Sequence, residues 1–172
     1  VEREFDIIND PAMDLLDDDC YEREQVRVKK RKCLYDHWSP PCSTFSSALA
    51  DKRVRWKGAE CGIGLDTPAG EAMARKCEEH TILANRVCRL ARMKHEVGDF
   101  FTVEHIYPSL LLDMQCFKEL IALPGVYVVT FDNCEYGETY RHRQCLITNA
   151  SWVVELFRDC QQAVDGHTHE KI

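Results

Sequence analysis

No stretch of this 172-residue chain approaches the about 20 consecutive apolar residues that cross a bilayer, so no membrane-spanning helix is expected. Glycine and proline are sparse, at eight and six, and 45% of the residues are hydrophobic, which excludes a collagen-like repeat, a disordered tail and a coiled coil. A cationic excess is also missing. Against 29 Asp and Glu stand 22 Lys and Arg, a net charge of −7 and a pI near 5.5, so a protein that simply coats nucleic acid is excluded and any such contact must be local. There is no internal repeat and no low-complexity segment. The first residue is Val, not Met, which reads as a piece whose upstream sequence is removed or unassigned, and targeting signals are therefore not legible.

What is present suits one domain, residues 1–172, with a mass of 19.9 kDa and a core of its own. Ten cysteines invite a secreted disulfide framework. A chain of this size needs no staples, however, and Cys33, Cys88, Cys116 and Cys145 lie in apolar runs where a free thiol behaves as a small hydrophobe. A reducing, intracellular setting, cytoplasm or nucleus, is the expectation.

Apolar periodicity divides the chain into alternating elements. Glu4 to Ile8 reads as a strand, Tyr21 to Lys32 as a charged, solvated helix, and Cys33 to Trp38 as a strand stopped by Pro40-Pro41. Residues 50–70, with four glycines and a proline, read as a long loop. Glu71 to Val97 has apolar residues at helical spacing and a stop at Gly98. Strands are predicted at Phe100 to Glu104, Val126 to Phe131 and Gln144 to Thr148, and helices at Ser109 to Leu123 and Ser151 to Cys160. Arg86, Arg89, Arg92 and Lys94 read as the solvated face of the long helix. Strands alternating with helices predict an α/β domain with a sheet covered on both faces, three layers in all.

In such sheets ligands gather beyond the carboxyl ends of the strands. Two strand exits carry reactive groups, Pro40-Pro41-Cys42 and Glu104-His105, which would bring a thiol and a carboxylate to one cleft. The prolines fix the backbone and so the direction in which Cys42 is presented. The hydroxyls of Ser43, Thr44, Ser46 and Ser47 surround it. His105 reads as a structural hydrogen-bonder, and Lys52, Arg53, Arg55, Trp56 and Lys57 offer cations for phosphates and an indole for stacking.

The run Ser39-Pro40-Pro41-Cys42-Ser43-Thr44-Phe45-Ser46 resembles the nucleophile motif of the DNA cytosine-5 methyltransferases. Val103-Glu104-His105 is similar to their Glu-Asn-Val motif, and Tyr136-Gly137 through Tyr140-Arg141-His142-Arg143 to their Tyr-Gly and Gln-x-Arg-x-Arg segment. Cys42, Glu104-His105, Asp132-x-Cys134-x-Tyr136-Gly137 and Tyr140-Arg141 together resemble the divergent methyltransferase-like domains of phages and mobile elements. The likeness spans about residues 4 to 169.

The resemblance implies a Rossmann-like, S-adenosylmethionine-dependent fold in which Cys42 adds to cytosine C6 and the methyl group passes to C5. Glu104 would contact N3 and the exocyclic amine, with a raised carboxyl pKa, and Arg141 or Arg143 would hold the base carbonyl or a phosphate. Asp6, Asp14 and Pro40 would face the cofactor. Ser43, Arg53, Arg55, Trp56 and Lys57 would face DNA bearing a flipped or single-stranded cytosine. The family's glycine-rich cofactor loop does not precede Cys42, so the fold reads as N-terminally incomplete, to be completed by an upstream segment or another chain. The alternative is a catalytically inactive nucleic-acid-binding or assembly module. A thiol hydrolase using Cys42 with His37 or His105 is a third reading, without an oxyanion feature to support it.

Cys134, Cys160, His167 and His169 form a separate candidate, two thiols and two imidazoles able to hold Zn²⁺ tetrahedrally. Their spacing is not that of a standard finger, and packing of Cys134 with disorder of the terminal histidines is the competing expectation.

Overall fold

The computed structural model describes residues 11–46, 55 and 70–170. The expected first strand, Glu4 to Ile8, and nearly all of the 50–70 loop lie outside them.

Helix α1, Asp18–Lys29, starts where the Asp17 carboxylate accepts the Cys20 amide at 2.7 Å. Asp18 and Asp19 in its first turn and Arg27 and Lys29 in its last complement the helix dipole. Helix α2, Glu71–Glu96, is the long helix expected, and it ends at Val97 because Gly98 takes φ 74°, a left-handed conformation that would strain a residue with a Cβ. Strand β1, Tyr35–Trp38, strand β2, Phe100–Ile106, strand β3, Tyr127–Asp132, and strand β4, Arg143–Thr148, lie close to their predicted places.

The predicted helix over Ser109 to Leu123 is instead a 3-10 turn, Leu110–Asp113, followed by α3, Gln115–Ile121. Ser109 explains the first part, since its hydroxyl accepts the Leu111 amide and caps a short turn. The predicted Ser151 to Cys160 helix is a 3-10 helix, Ser151–Leu156, with an extended segment after it.

The four strands form one mixed sheet in the order β1-β2-β4-β3. β1 runs parallel to β2, with Trp38 opposite Val103, and α2 is part of the connection between them. β4 is antiparallel to both neighbours, with Val103 opposite Ile147 and Val129 opposite Leu146. Mixed α/β architecture is therefore observed, but among the described residues α1, α2 and α3 all pack on one face of the sheet. Val28 of α1, Leu90 and Ala91 of α2 and Phe117 and Leu120 of α3 all join Trp38, Phe101, Val103 and Ile147 in one core. Burying each large side chain of this set contributes about 1.5–3 kcal/mol. Among the described residues, the opposite face carries a smaller cluster, Val129, Leu146, Ala150 and Val153, under the 3-10 helix Ser151–Leu156. No helix of the described residues is long and apolar enough to cross a membrane.

Lys94 corrects the reading of a solvated face. It is fully buried, because it follows Val87 and Ala91 on the core stripe of α2. Asp36 at 3.0 Å and Asp99 at 3.6 Å compensate its charge, and the Cys33 carbonyl accepts from it. Arg27 pairs with Asp36 at 2.9 Å and Arg31 with Asp99 at 2.8 Å, so the charges close into a network joining α1, β1, α2 and the start of β2. Arg86 is likewise engaged, bonding Asp18 and the Leu15 carbonyl and lying over the Tyr21 ring. Of the four cysteines assigned to apolar runs, Cys88 and Cys145 are buried, Cys116 is half-buried and Cys33 is exposed.

Candidate functional site

The parallel β1–β2 pair sets the carboxyl ends of two strands side by side. Beyond β1, Pro40 is buried and Cys42 is exposed at the head of a tight turn, where its carbonyl accepts the amides of Phe45 at 2.9 Å and Ser46 at 3.0 Å. Phe45, fully buried, anchors that turn. Its ring meets the His105 ring edge-on at 5.7 Å, and its carbonyl accepts the Leu110 amide at 3.1 Å. Ser46 pairs with Ser109 in an isolated bridge. The turn bearing Cys42 is thus fastened to the segment that leaves β2.

Glu104 stands near the end of β2, its carboxylate 3.4 Å from Nε2 of His37. The hydrogen bond from His37 is the main reason its carboxyl lies below the usual range, against a smaller upward push from burial. This overturns the expectation of a raised pKa: the environment of Glu104 favours the carboxylate. His37, Tyr35, Thr102 and Glu104 share one face of the sheet, with Tyr35 donating to the Thr102 hydroxyl at 2.8 Å.

Under the Cys42 turn lies a set of buried bases. His80 is hydrogen-bonded through Nδ1 to the Thr44 hydroxyl at 3.0 Å, and burial, with Lys76, Arg55 and His105 nearby, pushes it down to about 4. Arg55, assigned to nucleic-acid contact, is only 1% exposed. It stacks on Phe45 at 3.9 Å and donates to Thr44, Thr81 and the Cys77 carbonyl, so it braces this turn and does not face a phosphate. Ser43 is half-buried, while Arg53, Trp56 and Lys57 lie outside the described residues. His105 is buried and its pKa is lowered by that burial, although the Ile106 and Pro41 carbonyls and Glu104 act upward. The ring lies against those two carbonyls as weak acceptors, and neither nitrogen reaches full hydrogen-bond geometry among the described residues.

The arginines do not join Glu104. Arg143 opens β4 and shares a face with Thr130, to which it donates at 3.2 Å, and it pairs with Asp159. Arg141 is held by Asp132 at 3.2 Å. Strand alternation sets Arg143 on the face of Cys145, and Glu104 on the opposite face beside Leu146. Asp14, assigned to the cofactor, accepts the Leu16 amide at 2.8 Å in the turn before α1, and Asp6 lies outside the described residues.

The other constellation does assemble. One donor atom from each of Cys134, Cys160, His167 and His169 lies within 4.8 Å of the other three, at the far end of the β3–β4 hairpin. The terminal histidines are therefore placed, contrary to the expectation of disorder. Asp132, fully buried, links this cluster to the sheet by accepting the Cys160 amide at 2.8 Å. Burial is the largest single influence on the Asp132 carboxyl and acts upward, but the Cys160 amide with Arg141 and Arg143 together outweigh it and hold the carboxyl below its usual range. Sequence reasoning names Asp132 only within the Asp132-x-Cys134-x-Tyr136-Gly137 resemblance and not as a support of this cluster, although its place as the last residue of a strand just before Cys134 is a signal for that role.

No protein-family model, no curated protein and no solved structure matches the chain.

Proposed function

We propose that the chain is the substrate-facing portion of a DNA cytosine-5 methyltransferase-like domain with a Rossmann-like sheet. One observation carries the reading: an exposed thiol, Cys42, and a half-buried carboxylate, Glu104, at the carboxyl ends of adjacent parallel strands. In this reading the Cys42 thiolate adds to C6 of a flipped or single-stranded cytosine, and C5 attacks the methyl group of S-adenosylmethionine. A base then removes the C5 proton, and the thiolate leaves as the 5,6 double bond re-forms. Glu104, favoured as a carboxylate, accepts a hydrogen bond from the exocyclic amine. β1 is an edge strand of the described sheet, so strands carrying a cofactor loop, from an upstream segment or another chain, would continue the sheet along its outer side.

A second reading, a catalytically inactive nucleic-acid-binding or assembly module, is favoured by a different observation. Arg141 and Arg143 are tied to Asp132 and Asp159, and Arg55 is buried. These cations brace the protein in place of a substrate.

Exchange of the C5 hydrogen needs thiolate addition but no cofactor, so release of tritium from single-stranded DNA labelled at cytosine C5 tests the first reading. Wild-type protein should release tritium and Cys42→Ser should not. Absence of release with DNA binding retained selects the module, and absence of both release and binding overturns both readings. Methyl transfer from labelled S-adenosylmethionine is the corresponding test of the complete reaction.

A further inference from the structure

We propose that Cys134, Cys160, His167 and His169 form a structural zinc centre that fastens the C-terminal segment to the end of the β3–β4 hairpin, with Asp165 orienting His167. The donor atoms converge as a tetrahedral ion requires. Cys160 Sγ lies 3.5 Å from Nε2 of His167 and 3.5 Å from Nε2 of His169, and the two nitrogens are 3.0 Å apart. With Zn–S near 2.3 Å and Zn–N near 2.0–2.1 Å, the edges of such a tetrahedron are about 3.3–3.8 Å, which the two sulfur–nitrogen distances match, while the two nitrogens would move apart by about 0.3 Å to admit the ion. The imidazoles meet at 82° with centroids 4.7 Å apart, edge to face and not stacked.

The surroundings point to ligation as well. Asp165 is 2.6 Å from Nδ1 of His167, an arrangement that keeps the proton on Nδ1 and leaves Nε2 as a lone-pair donor, as metal-binding histidines are commonly held. Gly166, at φ 73°, makes the reversal between Asp165 and His167 that only a residue without a Cβ adopts readily. Two thiolates with two imidazoles are a donor set that selects zinc over the hard cations.

The segment also needs such a fastening. Within residues 159–170 only Cys160, His167 and His169 escape full exposure, so the parts turned inward are the three donors and no apolar side chain is buried to hold them there. The remaining ties are a few hydrogen bonds and one ion pair: the Asp132 amide to the Arg158 carbonyl at 2.9 Å, the Cys160 amide to the Asp132 carboxylate at 2.8 Å, the Gln161 amide to Glu135 at 2.7 Å, the Glu170 amide to the Thr139 carbonyl and the Thr139 hydroxyl to Glu170, both at 2.9 Å, and Arg143 with Asp159. Exposed bonds of this kind contribute about 0.5–1.5 kcal/mol each, too little to order a 12-residue tail against its conformational entropy. A metal–ligand set supplies what is missing. Through Asp132, which receives both the Cys160 amide and Arg141, the centre also fixes where Arg141 stands.

Elemental analysis of the full chain, purified without chelator, should find close to one zinc per chain, and Cys33→Ser should keep it. Cys160→Ala and His167→Ala should lose it, and Asp165→Ala should weaken zinc binding about 10- to 100-fold. Because those variants could misfold, the wild-type chain stripped by chelator provides an independent measurement. Stoichiometric Co²⁺ should give the intense visible bands of a tetrahedral thiolate site, and restored zinc should slow tryptic cleavage after Arg158. Zinc retained by Cys160→Ala and His167→Ala, another metal in its place, or a stripped chain without the tetrahedral cobalt spectrum would overturn the proposal. None of these measurements involves Cys42, so they are independent of the methyltransferase reading.

Discussion

The two ends of the β1–β2 pair handle charge in opposite ways. At the amino end, Lys94, Arg27 and Arg31 meet Asp36 and Asp99, and each charge has a counter-charge inside a sealed network. At the carboxyl end, bases crowd together under the Cys42 turn, His80 is held neutral by burial and neighbouring cations, and an acid–base pair, His37 with Glu104, is open to water. Complementary charge at the first end gives a permanent structural joint. At the second end buried histidines and the Arg55 cation lie below an exposed thiol, and the hydrogen bonds of His80 and Arg55 run to Thr44, Thr81 and the Cys77 carbonyl, all uncharged groups.

Lys94→Ala should have the largest effect. It removes the buried cation between Asp36 and Asp99 and leaves them only Arg27 and Arg31, and a loss of about 3–5 kcal/mol in urea unfolding is expected, whereas a loss under about 1 kcal/mol would show that the two arginines suffice. His80 comes next, and its effect depends on pH. Its folded pKa, about 4, lies below the ordinary 6.5, so between those values the unfolded chain binds a proton that the folded chain refuses. Stability is complete above pH 6.5 and falls as the pH drops, by about 2–3 kcal/mol on reaching pH 4. His80→Gln should flatten that part of the unfolding profile; an unchanged slope would place the acid sensitivity elsewhere.

A smaller change is expected at His105. Among the described residues its ring nitrogens complete no full hydrogen bond, so His105→Leu should alter stability by no more than about 1 kcal/mol in either direction. A larger loss would mean that the imidazole holds the Cys42 turn by more than its shape. Smallest is His37→Ala, below about 1 kcal/mol because both members of the pair are partly exposed. Its signature is the Glu104 carboxyl, which should rise toward its ordinary value when followed by NMR titration. The sign is that of a depressed acid. Its contribution is present above the ordinary carboxylate range and is lost as the pH falls through the folded pKa.

Legibility followed the range of the interactions concerned. The long helix and its end at Gly98 were readable because apolar period and a left-handed glycine are local signals. The Ser109 to Leu123 segment misled because its composition suits an α-helix, while the Ser109 cap gives a 3-10 turn first. Lys94 was misread from residue type, although its spacing from Val87 and Ala91 already placed it on the buried stripe. Arg55 looked like a loop cation, and only the packed rings and hydroxyls around it reveal a brace. Cys42 and Glu104 were recognisable as strand-end groups. The pairing of Glu104 with His37 was not, because that contact depends on the register between two strands about 65 residues apart in sequence.

Sequence alone determined the long helix, the charged helix before β1, the four strands of the described sheet and which residues carry thiol, imidazole and carboxylate chemistry, since backbone preference and side-chain identity are properties of short stretches. Tertiary structure decided which charges are compensated, which histidines are neutral and which donors meet. Cys134 and Cys160 converge only after β4 has returned along β3 and the tail has folded back, and a distance of that kind is set by chain topology, which no local spacing encodes.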